Sequence, residues 1–145
     1  MARRRMLKGV ANDLASSFVS RNNDLDGYWA IGKIHTVAST VSSGVVRFDL
    51  LNGTADPPTA HLLPMILAYR AKLLDRCRAL GLKPSACGAT FELGEGPSRD
   101  FKRNGEPQKA FRLRLAIRDD RGREWVHVTG GYSWPHDPGR EQRRV

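Results

Sequence analysis

Apolar and polar residues alternate from Phe111 to Thr129, on both sides of the turn signal Asp119-Asp120-Arg121-Gly122. Successive side chains of a strand point to opposite faces, so this stretch predicts a half-buried antiparallel hairpin. Two registers compete. A four-residue turn pairs Arg118 with Arg123, sets Arg114 opposite His127 and Arg112 opposite Thr129, and gathers Leu113, Leu115, Ile117, Val126 and Val128 on one face. Arg112, Arg114, Arg118, Trp125 and His127 then share the other. A three-residue turn, with Gly122 in the left-handed region, instead puts Trp125 beside Ile117 in the core. The first register is preferred because it keeps the aliphatic side chains together.

Elsewhere the period changes. Leu7, Val10, Leu14 and Phe18 recur at steps of three and four, predicting a helix over 5–20. Arg21 to Gly27 reads as an Asx-rich loop. Tyr28 to Val37 reads as a strand, with Trp29, Ile31 and Val37 on one side, and Val45 to Leu51 as its hairpin partner, with Arg47 and Asp49 facing out. A long helix follows over about 59–80, carrying Leu62, Ile66, Tyr69, Leu73, Cys77 and Leu80 on one face. Asp56 or Thr59 is the candidate start cap, Pro64 must lie within the first turn, and Gly81 is the natural stop. Ser85 to Leu93 is a further strand. Gly94 to Lys109 reads as a flexible loop holding Arg99, Lys102 and Arg103.

The order α-β-β-α-β-β-β predicts an α+β fold. Its sheet is mainly antiparallel and five-stranded, with one long helix and a shorter amino-terminal helix packed on it. Residues 1–133 form a single domain and 134–145 a flexible basic tail.

Charge sharpens the picture. The net charge is +9, distributed as +4 over residues 1–22, 0 over 23–98 and +5 over 99–145. A neutral middle between basic ends suits a polyanionic partner. No apolar run is long enough for a signal h-region or a membrane span, and Cys77 and Cys87 have no metal-like spacing, so a reduced, cytoplasmic setting is expected.

Candidate chemistry is sparse. Asn22 to Gly27 resembles the front of a calcium loop, but Lys33 stands where the bidentate Glu belongs, so calcium is not expected. His35, His61, His127 and His136 pair with no other ligand at metal spacing, and no metal or cofactor is expected. No nucleophile context or phosphate-binding glycine loop stands out. The leading reading is a small, basic, non-enzymatic module that binds nucleic acid. Its expected contacts are Arg112, Arg114, Trp125 and His127 on the sheet face and the arm Arg3, Arg4, Arg5 and Lys8. The alternative is a protein–protein adaptor or homodimer using the same face. An enzyme with a pocket near the 94–109 loop is third.

Overall fold

A long antiparallel hairpin organises the molecule, a computed structural model that describes residues 2–19, 27–41, 44–55, 57–94, 98–103 and 106–133. Its arms are β3 (Pro84–Leu93) and β5 (Glu106–Asp119), paired from Pro84↔Asp119 to Leu93↔Phe111. β1 (Val45–Asp49) pairs with β3 on one side and with the short β2 (Thr54–Ala55) on the other. β6 (Glu124–Ser133) takes the far edge of β5, and β5 also pairs with β4 (Ser98–Arg103). Every pairing is antiparallel, and with α1 (Ala2–Val19), α2 (Gly27–Thr40) and α3 (Leu63–Ala79) the fold is α+β.

Among the described residues, the buried strand side chains lie on one side of the sheet. Val46, Phe48, Cys87, Ala89, Phe91, Leu113, Leu115 and Ile117 point toward the helices, and their neighbours in sequence are half-buried or exposed. The helices cover that side. α1 runs along β6 and β5, α2 packs over β3 and β1, and α3 lies against α1. Phe18 of α1 stacks on Tyr69 of α3 at 4.1 Å between ring centres, and the Tyr69 hydroxyl donates to the Ser17 carbonyl at 2.9 Å. Asp13 and Arg76 close the same seam with an ion pair at 2.7 Å.

The long helix follows its sequence pattern. Leu62, Ile66, Tyr69, Leu73 and Cys77 are all buried, but Leu80, expected on the same face, is 43% exposed because α3 ends at Ala79 and the chain turns away there. Pro64 falls in its first turn, as its missing N–H requires. The chain enters through a 3-10 turn, Pro57–Leu62, and no side chain caps α3, so Thr59 is not the cap; Asp56 lies outside the described residues. Gly81, at φ +68°, closes the carboxyl end, where the Leu82 N–H donates to the Cys77 carbonyl and the Gly81 N–H to that of Arg78.

Two expected elements also differ. Tyr28 to Val37 is not a strand but part of α2. Ile34, Val37, Ala38 and Val41 recur at steps of three and four, and that stripe packs on the core. The β-branched residues suggested a strand, but packing an apolar stripe over β1 and β3 outweighs so weak a preference. Gly94 to Lys109 is not one loop either. Arg99, Lys102 and Arg103 stand on β4, because β5 continues beyond β3 and offers an edge to pair with. The calcium-like residues 22–26, and the tail 134–145 with His136, lie outside the described residues.

Both cysteines are buried and free. Burial pushes the Cys87 thiol up to about 12, with smaller contributions from the nearby Cys77 and Asp49 charges, and burial raises Cys77 as well. A thiol reagent at pH 8 should therefore label neither until the protein is denatured. The sign for stability follows. The folded state favours the protonated thiol, so this contribution is complete below the unfolded thiol value of about 8.5. It declines as pH rises from there through about 12, the value of folded Cys87. Urea unfolding across that range checks it. Among the described residues, no helix is long and apolar enough to cross a membrane.

Candidate nucleic-acid interface

The turn between β5 and β6 decides which side chains share a face. Asp119 is buried, and its Oδ1 accepts from the N–H groups of Arg121 and Arg123 at 3.0 and 2.9 Å. Its own N–H donates to the Arg123 carbonyl, and Gly122 sits at φ +78°. This is the three-residue turn, with a left-handed glycine that needs no Cβ relief. The register is therefore Arg118↔Glu124, Ile117↔Trp125, Leu115↔His127 and Arg114↔Val128.

That register overturns the expected grouping. Trp125 and His127 face the helices, while Val126 and Val128 turn outward, Val128 to 46% exposure. Exposing valines costs less than exposing an indole, whose apolar area is much larger. Trp125 packs on the core from its margin, and the arm lies over it. The Arg4 guanidinium and the Lys8 ammonium each sit 5.5 Å from the centre of its ring. Two cations held on one indole by its quadrupole fasten the start of α1 to the start of β6. Arg5 is exposed on the same helix; the side chain of Arg3 lies outside the described residues.

Trp125→Ala should accordingly lower stability by about 1–3 kcal/mol, less than a fully buried indole would cost. It should change oligonucleotide affinity by no more than about twofold, since no stacking term of the kind an exposed ring supplies is lost. Urea denaturation and a binding titration on the same variant separate the two.

The side of the sheet away from the helices carries a different set. Arg47, Thr90, Arg114 and Val128 form one row across β1, β3, β5 and β6; Val45, Glu92, Arg112 and Gly130 form the next. Asp49, Gly88, Ala116 and Val126 form a third, and Ala86, Arg118 and Glu124 a fourth. Arg47, Arg112, Arg114 and Arg118 are exposed. Arg118 is held by Glu124 at 3.1 Å. Among the described residues, Arg47, Arg112 and Arg114 have no carboxylate within ion-pair distance. Strand geometry puts Arg112 and Arg114 ~7 Å apart along β5 and Arg47 ~10 Å across β3 from Arg114. Glu92, also exposed, stands directly opposite Arg112 on this face, and each of the three guanidinium forks can still take a phosphate oxygen pair.

The expected contacts thus divide. Arg112 and Arg114 lie on the open face, Arg4 and Lys8 engage Trp125 on the helix side, and the sheet separates them. Arg47 belongs with Arg112 and Arg114, and its outward position was readable from the alternation of 45–51. Among the described residues, no three His, Cys, Asp or Glu gather as a metal site. No protein-family model matches the chain, and neither a curated protein nor a solved structure matches it.

Proposed function

We propose that the chain is a nucleic-acid-binding module that holds the phosphate backbone on the open face of its sheet. The observation that carries this reading is the set Arg47, Arg112 and Arg114, which among the described residues pairs with no carboxylate and lies on a face that no described helix covers. Arginine on such a face gains most from an oxyanion that accepts two parallel N–H bonds, which is what phosphate offers. Contacts of this kind fix the backbone without reading sequence. Trp125 plays no stacking part, because its ring is already occupied by Arg4 and Lys8.

Self-association through the same face is the weaker reading. A two-fold interface brings each patch onto its own copy, where three arginines outnumber the carboxylates Glu92 and Asp49 and the net charge repels. The apolar Val126 and Val128 sit at the β6 margin and not at the centre of the patch.

The test is chemical-shift mapping with a single-stranded oligonucleotide. Amide shifts should concentrate at Arg47, Thr90, Arg112 and Arg114. Shifts confined to the first turns of α1, or none at millimolar oligonucleotide, would defeat the proposal.

A further inference from the structure

Beside Arg47 the open face is not flat. A cavity of about 380 Å³ opens between β1, β2 and β3, lined by Arg47, Asp49, Asn52, Thr54, Ser85 and Gly88. Its volume is at the small end of ligand-sized cavities, roughly 300–1,000 Å³. It adjoins the arginine set, since Arg47 belongs to both.

The donors and acceptors in it are ordered. Asp49 Oδ1 accepts from the Asn52 backbone N–H at 2.9 Å, and Oδ2 from the Asn52 side-chain amide at 2.8 Å. Those bonds fix the carboxylate and leave each oxygen a second lone pair. The Ser85 hydroxyl donates to the Asp119 carbonyl at 2.8 Å. Gly88 contributes no side chain, so the floor there is bare backbone.

The geometry points to a pocket for one unpaired guanine base, carried by a strand whose phosphates lie on Arg47, Arg112 and Arg114. This rests on the proposed nucleic-acid reading and adds a base preference to it. Guanine presents two adjacent N–H donors on its pairing edge, which a fixed carboxylate such as Asp49 accepts side by side. Arg47 stands at the rim, where it keeps its guanidinium on the adjoining phosphate, so the base is read by Asp49. Adenine offers one donor group on its pairing edge and an acceptor at N1, which Asp49 would repel. A duplex hides the pairing edge, so the base must be unstacked and the strand single.

Gly88→Val tests the pocket directly. A Cβ at Gly88 meets only the Phe48 carbonyl, at 3.6 Å, an ordinary contact. Valine is favoured in strands, and its branched side chain would occupy the floor. The probes are labelled twelve-nucleotide oligothymidines with a central guanine, adenine or abasic site, read by fluorescence anisotropy. The guanine probe should bind about tenfold tighter than the abasic one. Gly88→Val should erase that difference without weakening the abasic probe, and Gly88→Ala should reduce it in part. Equal binding of all three probes, unchanged by Gly88→Val, overturns the pocket and leaves the backbone reading standing. Failure of every probe to bind overturns both. Displacement of the guanine probe by guanosine monophosphate at equal concentration would make the free nucleotide the occupant and overturn the strand-borne part.

Discussion

Replacing Arg112 and Arg114 together by Glu should weaken oligonucleotide binding by roughly 30- to 150-fold at low salt. The range follows from two lost charge-assisted contacts, together about 2–3 kcal/mol in an exposed setting. The loss should be similar across sequences of one length, because phosphate contacts carry no base information. Both side chains are exposed, so far-UV circular dichroism should hold, while the melting temperature should fall slightly because Glu at 112 would stand opposite Glu92. The same reversal at Arg4 and Lys8 should leave most of the affinity in place. It should instead loosen α1 from β6, because those cations sit on the Trp125 ring. Anisotropy titrations of the two double variants against one labelled oligonucleotide compare them. Equal losses would return the arm to the binding surface.

Leu73→Ala should lower stability by about 2–5 kcal/mol, the span for a leucine truncated inside a core. Leu73 is 0% exposed, on the face of α3 that carries Tyr69 and Cys77. Leu67, on the same helix, is 47% exposed. Leu67→Ala should cost about 0.5 kcal/mol or less, as surface substitutions do. Urea denaturation of both variants reads the orientation of α3 from the difference. A change below about 0.5 kcal/mol at Leu73 would place that residue outside the core.

Where one period dominated, the sequence was legible. The stripe Leu62, Ile66, Tyr69, Leu73 and Cys77 located α3 and its buried face, and Leu7, Val10, Leu14 and Phe18 did the same for α1. α2 was misread because Tyr28 to Val37 mixes β-branched, small and aromatic residues. Its helical stripe appears only when Ala38 and Val41 are counted with Ile34 and Val37. β4 was missed for another reason. Its Gly, Pro and charge-rich surroundings carry no period, and it pairs because the long β5 presents an edge.

The site was half legible. Arg112 and Arg114 were placed outward correctly, since their neighbours Leu113 and Leu115 fix the inner face of β5 whatever the turn. The face of β6 depended on one residue of loop length. The signal was present in Asp119-Asp120-Arg121-Gly122. An Asp that can accept from the second and fourth following N–H groups, with Gly in the left-handed position, marks the three-residue turn. Preferring the aliphatic set over the indole reversed Trp125 and His127.

The central claim is that Arg47, Arg112 and Arg114 hold a phosphate backbone, and the salt dependence of binding tests it most directly. Affinity for a labelled single-stranded oligonucleotide is measured by anisotropy from about 50 to 200 mM salt. Three phosphate contacts predict a slope of about −2 in log K against log salt, roughly an eighteen-fold loss across that range. In the Arg112→Glu, Arg114→Glu protein the slope should fall to about −0.7, the share of Arg47 alone. A slope near zero, or no binding tighter than about millimolar at the lowest salt, would contradict the account.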